Sequence, residues 1–196
     1  MLVQLDTDMN PIKIIPFSAE NPLRIGGSSP DLKIKLEDHL GYFFTIPHPT
    51  MKDQVISVFI TRNFNEQWDN RGLLVSDHST INVISHSTTK TRSDNNKSVL
   101  SQHSLSIGNT EPDYDDLENV LGHHKLGGYS TLEVAKVLPE QTLSKIKESN
   151  FQFWCQIAFP NSDDDDISGD WPVCDCLFSV YYQPVNGKLA AIWERI

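Results

Sequence analysis

The chain lacks any apolar stretch approaching the roughly 20 residues that a membrane-spanning helix needs. Its first residues, with Asp6 and Asp8, are not a basic start followed by an apolar run. Neither a membrane association nor a secretory leader is therefore expected, and the expected location is cytoplasmic. Cysteine is scarce: Cys155, Cys174 and Cys176 are an odd number in apolar or strand-like context. That argues against a disulfide framework and for a reducing compartment. Positive charge is also short, with 16 Lys and Arg against 26 Asp and Glu and a formal net charge of −10. Phosphate backbones are gripped by clustered cations, so nucleic acid is not an expected partner. The sign favours basic partners, although an acidic balance also serves solubility alone. A nucleophile elbow, a P-loop, a dinucleotide fingerprint and an HExxH helix are all missing. The expectation is a protein that is not an enzyme and uses no cofactor; a triad assembled from distant residues stays open as the alternative.

What the chain does have is an internal echo. Ile25-Gly26-Gly27-Ser28 returns as Leu126-Gly127-Gly128-Tyr129-Ser130, and each glycine pair is followed by two apolar stretches. These are Tyr42 to Pro47 and Val55 to Ile60 in the first half, and Phe151 to Ile157 and Cys176 to Tyr182 in the second. Paired glycines suit a chain that must take positive φ or let another backbone come close, so the repeat suggests one tight turn built twice. Two copies are too few for a solenoid. At 196 residues and 38% hydrophobic content, the expected fold is α+β, mostly antiparallel β with few short helices, as a pseudo-duplicated single domain.

Residues 1–84 read as a β-rich first half-repeat, with strands expected at Met1 to Leu5, Ile12 to Phe17, Lys33 to Leu36, Tyr42 to Ile46, Val55 to Ile60, Gly72 to Val75 and Thr80 to Ile84. Residues 85–119 are rich in Ser, Thr, Asn and Asp and end in an acidic cluster, which reads as a long exposed connection. Residues 120–196 form the second half-repeat. There Ser130 and Glu133 have capping-box spacing, Pro139 opens a second helix to about Ser149, and Val185-Asn186-Gly187-Lys188 signals a hairpin.

Two acidic clusters are the candidate contact surfaces. Residues 111–118 and 163–175 hold 11 of the 26 carboxylates, five in the first and six in the second. Asp113, Asp115 and Asp116 flank Tyr114, while Asp163, Asp164, Asp165, Asp166 and Asp170 precede Trp171. Carboxylates steer a basic partner and aromatics supply buried anchors; a solvated loop is the plain alternative. Asp164, Asp166, Ser168, Gly169 and Asp175 also echo a calcium-loop spacing, but the strand-like flanks and Pro172 favour an acidic hairpin loop. Cys174 and Cys176 with His123 and His124 have the donor types of a zinc site. A C-x-C spacing on a strand instead puts both side chains on one face as small hydrophobes, so no metal is expected. His39, His48, His78, His86 and His103 stand singly, and most are expected at the surface.

The run His124-Lys125-Leu126-Gly127-Gly128-Tyr129, an aromatic strand ending in Gln156-Ile157, the acidic loop with Ser168-Gly169-Asp170, and a further aromatic strand together resemble the YwqG-like family, also known as the domain of unknown function DUF1963. Arg24-Ile25-Gly26-Gly27 and the strands after it look like that family's first half-repeat. The resemblance covers roughly residues 20–195. It implies a mixed, mostly antiparallel β fold, no established enzymatic activity, and genes near bacterial polymorphic toxins. The function it implies is that of an immunity protein that binds a toxin, expected to be basic and nuclease-like, and blocks its active site or substrate groove. A binding module for another protein or a small ligand is the alternative, and a hydrolase with an unrecognised site the third.

Overall fold

A computed structural model describes residues 8–62, 77–78, 80–113, 123–158 and 176–195. The strands are β1 (Asp8–Ile15), β2 (Arg24–Ile25), β3 (Ser29–Pro30), β4 (Leu40–Pro47), β5 (Gln54–Thr61), β6 (Asp77–His78), β7 (Ile81–Ser87), β8 (Arg92–Ser93), β9 (His103–Ile107), β10 (Glu111–Pro112), β11 (Lys125–Gly127), β12 (Gln152–Ile157), β13 (Cys176–Tyr182) and β14 (Leu189–Arg195). Two short helices, α1 (Thr131–Val134) and α2 (Glu140–Glu148), separate β11 from β12. The fold is thus mostly antiparallel β with few short helices. One large sheet runs β14-β13-β12-β11-β1-β9-β2-β4-β5-β7-β6, with β10 alongside β1 and a separate β3-β8 ribbon. Its outer strands β14 and β7 approach each other, so the sheet curls into a nearly closed barrel.

Apart from β6 and β10, the sheet consists of two five-strand groups meeting at β1 and β9, and their pairings correspond position for position. In the group β9-β2-β4-β5-β7, Ile25 lies opposite Phe44, and Phe44 opposite Val58. In the group β1-β11-β12-β13-β14, Leu126 lies opposite Cys155, and Cys155 opposite Val180. A bulge interrupts both hairpins at the matching place, between Tyr42 and Phe44 and between Phe153 and Cys155. At the centre, Ile12 faces Ile107 and Ile14 faces Leu105, with Lys13 opposite Ser106 midway. Matching backbone bonds flank this seam: Ile12 N–H donates to His124 O at 2.8 Å, and Leu105 N–H to Leu23 O at 2.9 Å.

Alternation of side chains along a strand sends one set inward. Ile25, Phe44, Ile46, Ile56 and Val58 from one group join Leu126, Cys155, Ile157, Phe178 and Val180 from the other in a single core. The rings of Phe43 and Phe44 meet Phe178 edge-on, at centroid distances of 5.6 and 5.8 Å. Outer faces are covered separately. Leu32 and Leu36 lie over Leu40, Tyr42 and Phe59 in the first group. In the second, Leu132, Leu138 and Ile146, from the two helices and the turn joining them, cover Leu177, Tyr181 and Ile192.

Several expectations change here. Residues 33–36 are not a strand; they belong to the loop whose Leu32 and Leu36 cover the first outer face. The segment 85–119 is no mere exposed connection, since β9 lies at the centre of the sheet with Ser104 and Leu105 buried. Its Ser-Leu-Ser-Ile pattern reads as polar, yet alternates as a strand should. The structural groups also differ from the halves read along the chain: β1 lies in the first half but pairs with β11, whereas β9, in the connection ahead of the second half, pairs with β2. Strands expected at residues 1–5 and 72–75 lie outside the described residues. The helix starts are as expected, with Ser130 Oγ accepting from Glu133 N–H at 3.4 Å and Pro139 at the N-cap of α2. Glu133 does not complete a capping box; its carboxylate accepts from Tyr181 O–H at 3.1 Å. His48 is buried, its Nδ1 accepting from the amides of Thr50 and Met51.

Candidate functional site

Each glycine pair comes two residues after a cation that opens a short strand, Arg24 in β2 and Lys125 in β11. The four glycines share one conformation, with φ of 70° and 73° at Gly26 and Gly27 and of 70° and 75° at Gly127 and Gly128. This is the left-handed region that residues with a Cβ avoid. Both cations are buried, with 2% of Arg24 and 1% of Lys125 exposed. A buried charge is costly unless it is paired, and the two groups meet that demand differently.

Lys125 has a carboxylate. Its Nζ lies 2.7 Å from Asp113 Oδ2, and both side chains are almost fully enclosed. The same oxygen accepts from Tyr129 N–H at 2.5 Å. Gly128 makes room for it, because a Cβ there would stand 2.1 Å from Asp113 Oδ2. Burial pushes the Lys125 pKa down, and Asp113 opposes that shift.

Arg24 has carbonyls instead. Its Nε donates to Asn21 O at 2.8 Å and its Nη2 to Ala19 O at 2.9 Å, while Phe17 lies against its guanidinium with the ring centroid at 4.9 Å. Over Gly27, where the other group has Asp113, lies the neutral side chain of Gln102. Arg92, brought in by the β3-β8 ribbon opposite Pro30, adds a second guanidinium. Burial lowers the pKa of both arginines, and the charge of Arg24 lowers that of Arg92 further. The Tyr42 hydroxyl nearby is pushed up to about 12 by burial and so stays protonated.

Arg24, Lys90 and Arg92, with Glu20, Thr88 and Thr89, line a cavity of about 300 Å³. Glu20 pairs with Lys90 at its exposed side. Among the described residues no carboxylate is paired with Arg24 or Arg92, and Arg92 Nε and Nη2 are buried without a hydrogen-bond acceptor. The arrangement suits recognition of negative charge. It offers cationic side chains and hydroxyls.

Of the residues expected to contact a partner, Asp113 is spent on its internal pair with Lys125. Tyr114, Asp115, Asp116, Asp163, Asp164, Asp165, Asp166, Asp170 and Trp171 lie outside the described residues. The acidic stretch 159–175 joins β12 to β13, whereas the matching connection between β4 and β5 is residues 48–53. Among the described residues no cluster of three or more metal-binding side chains occurs. Cys155 is buried, its thiol pKa raised by burial, and it packs in the core at the position matching Phe44. His124 Nδ1 accepts from Ala158 N–H at 3.1 Å.

Sequence reasoning missed Arg24, Lys90 and Arg92 as a group. A signal existed for one of them: a cation stands two residues before each glycine pair. Arg92 and Lys90 gave none, because their approach to Arg24 depends on the ribbon formed by β3 and β8. Comparison with protein-family models, curated proteins and solved structures finds no match.

Proposed function

We propose that this chain is a pseudo-duplicated single domain acting as a non-catalytic binding module, with its ligand taken up beside Arg24 and Arg92. The observation that carries this reading is the cavity of about 300 Å³ lined by those side chains, a volume at the lower end of small-ligand sites. The matching registers of the two groups support the duplication. A barrel with one shared core gives the site a rigid frame, and the cavity borders loops 16–23 and 88–91, where sequence can vary without disturbing that core. The test compares the tagged wild type with Thr88→Trp, which places a large side chain at an exposed position of the cavity wall. Both are purified from the host at low salt, and bound proteins and small molecules are identified by mass spectrometry. A species retained by the wild type and lost from Thr88→Trp is expected; identical material on both removes the cavity from consideration.

A second reading keeps the protein as a cytoplasmic immunity protein that neutralises a basic, nuclease-like toxin. It is favoured by the net charge of −10 and by the placement of six carboxylates in the connection 159–175, where the other group has only residues 48–53. Among the described residues no helix is long and apolar enough to cross a membrane. Electrostatic steering predicts association that weakens with salt. Reversal of Asp163 to Asp166 to Lys is expected to lower toxin affinity and flatten its salt dependence. Unchanged affinity and slope would exclude that surface.

A further inference from the structure

Resting on the binding-module reading, we infer that the ligand of the Arg24–Arg92 cavity is an oxyanion, a small molecule presenting a phosphate or carboxylate group. Two matching buried cations are treated unequally by the fold. Lys125 is neutralised within the chain by Asp113 at 2.7 Å. Arg24, at the corresponding position, meets carbonyls, the Phe17 ring and a second guanidinium, with no carboxylate paired to it among the described residues, and the side chain over its glycine pair is an amide. Two like charges brought together under partial burial repel, and an anion between them relieves both the repulsion and the desolvation.

Arg92 gives the ligand its shape. Nε and Nη2 form one edge of the guanidinium plane, the two-pronged fork that meets a pair of phosphate or carboxylate oxygens in parallel. Both donors are buried and have no acceptor among the described residues, whereas buried donors are nearly always satisfied. They are closed to solvent in this rotamer, so an entering oxyanion takes them as the long side chain turns toward the cavity it lines. Lys90 and the hydroxyls of Thr88 and Thr89 complete the lining. Lys90 is held by Glu20 across an exposed pair, and exchange of that carboxylate for the ligand's oxygens frees its ammonium to join the grip. In an otherwise acidic molecule this cluster is the opposite of what net charge predicts.

The experiment is a titration of the full chain with inorganic phosphate, phenyl phosphate and succinate, against sodium chloride at equal ionic strength. It is read as a thermal shift and by calorimetry, on wild type, Arg92→Lys, Arg92→Met and Thr88→Trp. Binding of at least one oxyanion is expected, weakened tenfold or more in Arg92→Met and partly in Arg92→Lys, which keeps charge without the fork. A response to phenyl phosphate alone assigns a phosphoryl ligand; a response to succinate alone assigns a carboxylate. No response beyond chloride, or a response equal in Arg92→Met, overturns the inference. If Thr88→Trp still abolishes capture of a host ligand while every oxyanion fails, the binding module stands and only the ligand class falls. If capture is also unaffected, both fall.

Discussion

The two five-strand groups solve the inward half of their problem alike and the outward half differently. Toward the core, matching positions hold Ile25 and Leu126, Ile46 and Ile157, Val58 and Val180, all in one cluster. Even the large-for-small exchange of Phe44 for Cys155 falls within it, beside Phe178 at the position matching Ile56. A shared close-packed interior ties each residue to its counterpart's volume. On the outside no such tie exists. One face is covered by a loop through Leu32 and Leu36, the other by two helices, and one buried cation is paired with a carboxylate while the other lines a cavity. An aromatic pair shows both tendencies. Tyr42 against Phe59 and Phe153 against Tyr181 keep centroid distances of 5.7 and 5.8 Å, with the hydroxyl moved to the opposite strand. Each hydroxyl then finds its own local partners, Thr45 Oγ1 for Tyr42 and Ser130 Oγ for Tyr181, both at 2.7 Å.

The sharpest way to break this comparison is to remove each cation in turn. Lys125→Met strands the Asp113 carboxylate in the interior, and loss of one partner from a buried pair costs about 3–5 kcal/mol. Arg24→Met removes a charge that is paired with no carboxylate among the described residues, so its cost in urea unfolding is expected to be smaller. Equal losses would mean that the two cations are held in the same way after all.

The glycines provide a finer test. Gly26 and Gly127 share φ of 70°, so alanine at either carries a left-handed penalty of about 1–2 kcal/mol. Space differs: the added Cβ would lie 2.1 Å from Ser101 O at Gly26, but 3.3 Å from Asp8 O at Gly127. Gly127→Ala is expected to show the conformational penalty and a smaller loss from a tight contact that a shift of a few tenths of an ångström relieves. Gly26→Ala should lose a further ~1–3 kcal/mol from the forced backbone shift. Thermal or urea unfolding of the two variants side by side decides this, and indistinguishable midpoints would refute it.

The smallest effect concerns Glu133, which only the second group has. Burial raises its pKa above the ordinary 4.5, opposed by the Tyr181 hydrogen bond and the charge of Lys147. The native state therefore holds this proton more tightly than the unfolded chain does. The stability it gains is full below the unfolded pKa and is lost as pH rises through the folded one. Relative to Glu133→Gln, the wild type is expected to lose stability between about pH 4.5 and the raised folded value. Urea midpoints that run parallel across that interval would show that Glu133 does not titrate as its burial requires.

The apolar strands β4, β5, β12 and β13 were legible because continuous apolar stretches bounded by turn residues admit few other readings. The hairpin turn was equally plain, with Gly187 at φ 69°. The central strand β9 was not, because Ser104 is fully buried there by its neighbours β1 and β2 rather than by its own chemistry. Nor was the role of Asp113. In sequence it is one carboxylate of an acidic cluster; in the fold it is the internal counter-ion of Lys125. Charge runs are read from composition, whereas pairing depends on which backbone segments meet.

The sequence by itself determined the predominance of β-structure, the two glycine turns and their repetition, and the apolar strands that fill the core. These follow from local sterics and side-chain period, which each segment carries with it. Tertiary structure alone decided that β1 and β9 exchange sides, that Arg24 and Arg92 meet, and that Lys125 finds a carboxylate. Each of those depends on strand pairs 62 to 118 residues apart, Pro30 with Arg92 and Met9 with Gly127 among them, and no local preference specifies a contact at that range.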